Sequence, residues 1–158
     1  MRGKSELIVY ADGATGHRED HTGAGAVLLD VKGRVLALAN RCLGDMTNNE
    51  AEYAGLILAL ELAASRRPRH LRVRLDSAVV VGQMNGECAV RSSSLKPWHQ
   101  RACLLARRFR RVTYRHVPRE QNRLADALAQ EALGGHILRG GHGVGRHPRA
   151  KTALDIAR

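Results

Sequence analysis

Aromatic residues are scarce in this chain, at 3% of its 158 residues. Its core must therefore be built from Leu, Val, Ile and Ala, and aliphatic packing should dominate. Hydrophobic residues still make up 44% and charged residues 26% of the sequence, which excludes collagen-like, coiled-coil and wholly disordered chains. The length suits one globular domain with a sizeable core and is too short for two ordinary domains.

The sequence also has few cysteines and no long apolar run. The three cysteines, Cys42, Cys88 and Cys103, form no CxxC pair, so they indicate neither a disulfide framework nor a zinc site and fit a reducing cytoplasm. No segment approaches the roughly 20 apolar residues of a membrane helix, and the N-terminal apolar run is too short for a signal peptide. The sequence predicts a soluble cytoplasmic protein with no membrane partner.

Acidic residues are outnumbered by basic ones. Lys and Arg total 26 against 15 Asp and Glu, a formal net charge of +11 at pH 7. Such an excess favours a polyanionic partner, nucleic acid above all, although net charge bears on attraction and solubility rather than on fold. The alternative interpretation is an ordinary basic surface, and charge alone leaves both open.

Hydrophobic periodicity predicts an α/β layered domain. The apolar patterns indicate strands at 7–11, 25–29, 34–39, 70–75 and 111–116, and helices at 47–65, 78–86, 95–109 and 121–133. A hairpin followed by helix-linked strands argues for a mixed sheet with helices packed on it. Residues 1–133 form the predicted domain, and residues 134–158, rich in Gly, His and Arg, are a predicted flexible basic tail or linker.

Several acidic residues stand where packing alone would not place them. Asp12 and Asp76 each follow an apolar strand, at the edge where ligands collect in open α/β sheets, although Asp also starts turns well. Asn122 and Asp126 are spaced by four, so they share one face of the last predicted helix. Asp12 and Asp76 are therefore predicted to lie at one edge of the sheet, and Asp126 is predicted to face inward.

Glu52 is the most informative of these acids. Its spacing from Leu56 and Leu60 places it on the apolar stripe of the first predicted helix. A first-turn Glu favoured by the helix dipole is the alternative, but Glu50 fills that role better. Converging acids repel one another unless a cation compensates them, and oxygen ligands favour Mg²⁺ or Mn²⁺ over Zn²⁺. With a basic surface, this combination suggests two-ion phosphodiester hydrolysis.

Five ordered motifs also match a known family. They are YADGA at 10–14, GAGAVL at 23–28, TNNEAEYAGL at 47–56, LDSAVVV at 75–81 and HVPREQNRLADALA at 116–129. On these motifs the chain resembles type I ribonuclease H over residues 6–133. It is most similar to the bacterial and archaeal branch without a basic handle, because the stretch before the last strand leaves no room for an extra helix.

The resemblance implies a ribonuclease H-like fold with a central five-stranded mixed sheet flanked by helices. It implies endonucleolytic hydrolysis of the RNA strand of RNA/DNA hybrids, leaving 3′-hydroxyl and 5′-phosphate ends, by a monomer with two Mg²⁺ or Mn²⁺ ions. Asp12, Glu52, Asp76 and Asp126 match the family's catalytic acids and metal ligands. His116 matches the family's loop histidine, which assists water activation or product release.

The same resemblance implies a surface that reads the shape of the hybrid. Carboxamides can meet 2′-hydroxyls and minor-groove edges as donors and as acceptors. The implied nucleic-acid contacts are Gly13, Asn48, Asn49, Ser77, Lys96 and Asn122.

The sequence departs from the family in two places. The loop at 17–22 replaces a more usual turn, and Ala78 stands where relatives often carry Gln or Glu. One alternative is a non-catalytic hybrid-binding module, which predicts the loss of at least one acid. The others are another nuclease or integrase of the same fold and the nuclease domain of a larger fusion protein.

Overall fold

A five-stranded mixed sheet forms the centre of the protein. The computed structural model describes residues 6–16 and 21–139, with side chains as far as residue 134. The strands are β1 (Glu6–Thr15), β2 (Thr22–Asp30), β3 (Val35–Leu43), β4 (His70–Leu75) and β5 (Arg111–His116), in the order β3-β2-β1-β4-β5. The first three strands pair antiparallel, and β1, β4 and β5 pair parallel. The predicted mixed sheet is thereby confirmed.

Four helices cover the sheet on its two faces. They are α1 (Asn48–Ala64), α2 (Ala78–Met84), α3 (Lys96–Ala106) and α4 (Arg123–Arg139), with a 3₁₀ turn at Arg119–Gln121 before the last. Helix α1 packs on β1, β2 and α3, whereas α4 packs on β2, β1 and β3. Thr47 caps α1, as its spacing from Glu50 predicts, because its hydroxyl accepts a hydrogen bond from the Glu50 amide at 3.3 Å. Among the described residues, no helix is long and apolar enough to cross a membrane.

Two glycines let helices lie directly on the strands that carry the site. A Cβ atom at Gly13 would stand 2.0 Å from the carbonyl oxygen of Ala51 in α1. A Cβ atom at Gly25 would stand 2.3 Å from the carbonyl oxygen of Ala125 in α4. Because Gly13 and Gly25 point to opposite faces of the sheet, α1 and α4 both approach the middle of β1 and β2, one from each side.

Two of the predicted boundaries that the structure moves bear on the site and on the predicted tail. Strand β1 continues to Thr15, so Asp12 lies inside the strand and pairs with Gly25 rather than following the strand end. The antiparallel ladder with β2 extends the strand through small residues whose composition carries little strand signal. Helix α4 continues to Arg139, so the first residues of the predicted tail are helical. Residues 140–158 and the loop at 17–20 lie outside the described residues.

Candidate active site

Three carboxylates converge at one end of the sheet. Asp12 comes from the middle of β1, Glu52 from the first turns of α1, and Asp76 from the residue after β4. Each offers an oxygen within 4.8 Å of the other two. Asp12 is 5% exposed, whereas Glu52 and Asp76 are half-buried. The predicted convergence of these acids is thus what the fold produces.

Asp126 completes the group from the opposite face of the sheet. It lies in the first turn of α4, lines the same cleft and shares a hydrogen bond with the Asp12 side chain. The close contact of α4 with β2 at Gly25 brings this turn of the helix to β1. Four acids from four different elements therefore surround one small volume.

Burial and mutual repulsion disfavour the charged forms of these acids. Burial, reinforced by the charges of Glu52 and Asp76, raises the pKa of Asp12 to about 9. Burial and the charge of Asp76 raise the pKa of Glu52 to about 8, against hydrogen bonds from Asp12 and the Gly13 amide and the charge of Arg119. Without an added cation, burial therefore favours the protonated forms of Asp12 and Glu52.

The donor set fits a hard divalent cation. Oε2 of Glu52 is buried and has no hydrogen-bond partner among the described residues, which leaves a strong acceptor unsatisfied. Carboxylate oxygens gathered this closely are the ligands that Mg²⁺ and Mn²⁺ prefer. A bound cation would satisfy Glu52 and relieve the repulsion that raises the pKa values of Asp12 and Glu52.

The acids stand in an open cleft of about 340 Å³. The cleft includes Gly13 and Asn48, two of the predicted nucleic-acid contacts. Thr15, Arg119 and Gln130 were not predicted as site residues. Thr15 lies beyond the predicted end of its strand, Arg119 lies within the last motif, and Gln130 directly follows that motif. The lining residues are Asp12, Gly13, Ala14, Thr15, Asn48, Glu52, Asp76, Arg119, Asp126 and Gln130.

The start of α1 presents two exposed carboxamides beside the acids. Asn48 is the first residue of the helix, and its Oδ1 accepts a hydrogen bond from the Thr15 hydroxyl at 2.7 Å. Asn49 follows and is also exposed. The bond to Thr15 holds Asn48 at the rim of the cleft, and the Asn48 amide nitrogen has no hydrogen-bond partner among the described residues.

His116 lies next to Asp76, at the neighbouring strand of the sheet. It ends β5, is exposed, and places Nε2 3.2 Å from the carbonyl oxygen of Asp76. A carbonyl oxygen only accepts, so this contact requires a proton on Nε2. The residue predicted as a proton carrier is therefore held next to a cluster acid and open to solvent.

The remaining predicted contacts divide into surface and interior positions. Lys96 is exposed at the start of α3, and Ser77 caps α2, its hydroxyl accepting from the Val80 amide at 3.3 Å. Asn122 is 1% exposed, and its Nδ2 donates to the carbonyl oxygen of Ala11 at 2.8 Å. The prediction that Asn122 contacts nucleic acid directly is wrong, because packing of α4 against β1 encloses the side chain.

Comparison with known proteins agrees with this geometry. A family model described as "Reverse transcriptase-like" matches residues 10–132. The crystal structure of RNase H1 from the archaeon Halobacterium salinarum is 36% identical, with a TM-score of 0.78 over 82% of this chain and 98% of that one. The chain belongs to the type I ribonuclease H family. Residues 85–95, between α2 and α3 of this ribonuclease H domain, form no helix, which confirms the branch without a handle.

Two further relatives bear on substrate and organisation. LC11-RNase H1, solved in complex with an RNA/DNA hybrid, is 32% identical, with a TM-score of 0.77 over 83% of this chain and 99% of that one. "Bifunctional protein Rv2228c" of Mycobacterium tuberculosis is 37% identical over 129 residues, which are 81% of this chain and 35% of the relative. The chain thus spans about a third of the length of its mycobacterial relatives.

Proposed function

We propose that this ribonuclease H domain is a metal-dependent endonuclease that cuts the RNA strand of RNA/DNA hybrids. The observation that carries the proposal is the convergence of Asp12, Glu52 and Asp76 within 4.8 Å, joined by Asp126. The hybrid bound to the related LC11-RNase H1 supports the substrate class. The expected products carry 3′-hydroxyl and 5′-phosphate ends. We also propose that the protein is a monomer located in the cytoplasm.

The four acids are the proposed ligands of two Mg²⁺ or Mn²⁺ ions. Bound there, such ions supply an activated water and stabilise the leaving oxygen of an in-line displacement. We expect the unpaired Oε2 of Glu52 to bind a cation, and Asp12, whose side chain shares a hydrogen bond with Asp126, to lose a proton when the cation binds. Metal binding should therefore release protons.

The other cleft residues position the substrate and handle protons. Asn48 and Asn49 present carboxamides that distinguish a 2′-hydroxyl from a deoxyribose, and the exposed Lys96 adds a charge for the phosphate backbone. Arg119 lowers the pKa of Glu52 and offers a cation to a phosphate entering the cleft. His116, exposed beside Asp76, can take or give a proton at Nε2.

A single cleavage assay tests the proposal. End-labelled RNA/DNA hybrid, duplex DNA and duplex RNA are each incubated with Mg²⁺, Mn²⁺ or EDTA, and the product ends are analysed. We expect cation-dependent cutting of only the RNA strand of the hybrid. Asp76→Asn should abolish the cutting, whereas Glu131→Gln, an exposed acid on α4, should leave it unchanged. Hybrid binding without cutting under every cation would instead favour the non-catalytic binding module.

A further inference from the structure

The outer face of β4 and β5 carries a concentration of arginines. Along β4 the residues Leu71, Val73 and Leu75 are buried, and the residues between them point to the other face of the sheet. Helix α4 packs on β1, β2 and β3 on that side. Register pairing places five outward side chains together on this surface, here called the arginine face: Tyr10, Arg72, Arg74, Arg111 and Arg115.

Like charges are neighbours within the arginine face. Arg74 and Arg115 are register partners on strands that lie about 4.8 Å apart, an arrangement in which equal charges repel. Arg111 and Arg115 are exposed, and their side chains have no hydrogen-bond or ion-pair partner in the described part of the chain. Apart from Asp12 of the cleft, Glu6 is the only acid on these three strands, and Arg72 at 2.5 Å and His70 at 3.0 Å already bind it. Within the described residues, the other arginines of this face have no acidic partner.

One arginine of this surface is held in place by an aromatic ring. Nη1 of Arg74 donates to the Tyr10 hydroxyl at 2.7 Å, and the guanidinium carbon lies 5.5 Å from the ring centroid. A guanidinium fixed in this way offers both a flat surface for a base and donors for a phosphate. Little side-chain freedom remains to be lost when Arg74 binds a ligand.

The arginine face adjoins the acidic cleft. Tyr10 and Asp12 point to the same side of β1 two residues apart, which is about 6.6 Å along a strand. Arg74 stands two residues before Asp76. A duplex resists bending because its persistence length is about 150 base pairs, whereas a single strand is flexible enough to turn from the cleft onto the sheet. Residues 140–158 carry Arg146, Arg149, Lys151 and Arg158 against Asp155, so repulsion disfavours this segment as the occupant.

We propose that the arginine face binds a single-stranded nucleic-acid extension of the hybrid held in the cleft. This inference rests on the proposed function for its link to the cleft, but binding to the face itself needs no cleavage. Single strands suit the surface because positive charge follows the backbone and the Arg74 and Tyr10 pair offers a platform for a base. The face would favour hybrids with overhangs over blunt hybrids.

Salt-dependent binding of labelled single-stranded DNA in EDTA tests the face directly. Each arginine that contacts a phosphate should contribute about 0.7 to the slope of log K against log salt concentration. We therefore expect Arg115→Gln to lower the magnitude of that slope by about 0.7, and the double variant with Arg111→Gln to lower it by about 1.4. Lys32→Gln removes one exposed charge from the turn between β2 and β3 and should leave the slope unchanged.

Several results would overturn the inference. The first is a salt-dependence slope in the double variant equal to that of the wild type. The second is a slope in Lys32→Gln reduced as much as in Arg115→Gln. The third is an equal reduction of the slope for a blunt hybrid, which would assign the arginines to the duplex interface. Loss of binding to polyglutamate with single-stranded DNA unaffected would indicate an acidic protein partner instead. In cleavage assays, the double variant should lose only the KM advantage of an overhanging hybrid over a blunt one. If neither hybrid is cut, the proposed function fails while the binding result still stands.

Discussion

Asn122 and Ala11 are joined by a hydrogen bond of 2.8 Å that spans 111 positions of sequence. The Nδ2 group of Asn122, at the start of α4, donates to the carbonyl oxygen of the residue before Asp12. Its Oδ1 is buried without a partner in the described chain. The bond connects the helix that carries Asp126 to the strand that carries Asp12, so it helps to set the distance between these two acids.

Replacing Asn122 with Ala should loosen that connection. The Ala11 carbonyl would lose its donor in the interior, which costs about 1–3 kcal/mol. We expect the free energy of unfolding in urea to fall by that amount and cleavage to fall with it. Gln121→Ala, at the exposed neighbouring position, is the control. Unchanged stability of Asn122→Ala would show that the bond contributes nothing.

The buried acids should make the metal-free protein less stable as the pH rises. The pKa of Asp12 is raised from 3.8 to about 9 in the folded chain, so unfolding releases a proton between these two values. The free energy of unfolding in EDTA should therefore be highest near pH 4 and fall towards pH 9. Asp12→Asn should flatten this dependence, and urea titrations at several pH values would measure it. An equally steep fall in Asp12→Asn would contradict the assignment.

His116 should affect the rate of cleavage more than the affinity for hybrid. A proton carrier contributes about 10²-fold or more to rate, and the exposed ring makes no buried contact whose loss would unfold the chain. We expect His116→Ala to lower kcat with little change in KM in steady-state assays. His116→Gln keeps a donor for the Asp76 carbonyl but cannot carry a proton, so full activity in that variant would reduce His116 to a positioning role.

Replacing Arg119 should strengthen the binding of Mg²⁺ and weaken the binding of the hybrid. Its charge faces Glu52, so Arg119→Gln removes repulsion from the bound ions and attraction for the scissile phosphate. The expected result is a lower Mg²⁺ concentration for half-maximal activity and a KM for hybrid raised several-fold. Arg123→Gln, exposed at the start of α4, should change neither value. A KM equal to that of the wild type would remove Arg119 from the substrate site.

Gly13 should be intolerant of a side chain. A Cβ atom there meets the Ala51 carbonyl oxygen at 2.0 Å, and the backbone of α1 must move to admit it. Overpacking of this kind costs about 1–3 kcal/mol, and the shift would also separate Glu52 from Asp12. Thermal unfolding of Gly13→Ala can be compared with Gly44→Ala, where a Cβ atom meets nothing within 4 Å. Equal melting temperatures would contradict the close packing.

The accuracy of the sequence-based predictions follows from how local each signal is. Strands β4 and β5 were predicted with their true limits because alternating apolar residues mark them, whereas β1 was predicted too short because Gly13 and Ala14 carry little strand preference. The cap at Thr47 is equally local and is confirmed. The end of α4 at Arg139 was missed because glycines interrupt its pattern.

The sequence by itself determined the sheet class, the family and the four acids, because periodicity and motif spacing are properties of short segments. Only the tertiary structure decided that Asn122 is enclosed, that Arg119 faces Glu52 and that Arg74 lies beside Arg115. These relationships depend on helix packing and strand register between residues far apart in the chain. Such distances do not appear in any local pattern, because they exist only once the sheet has formed.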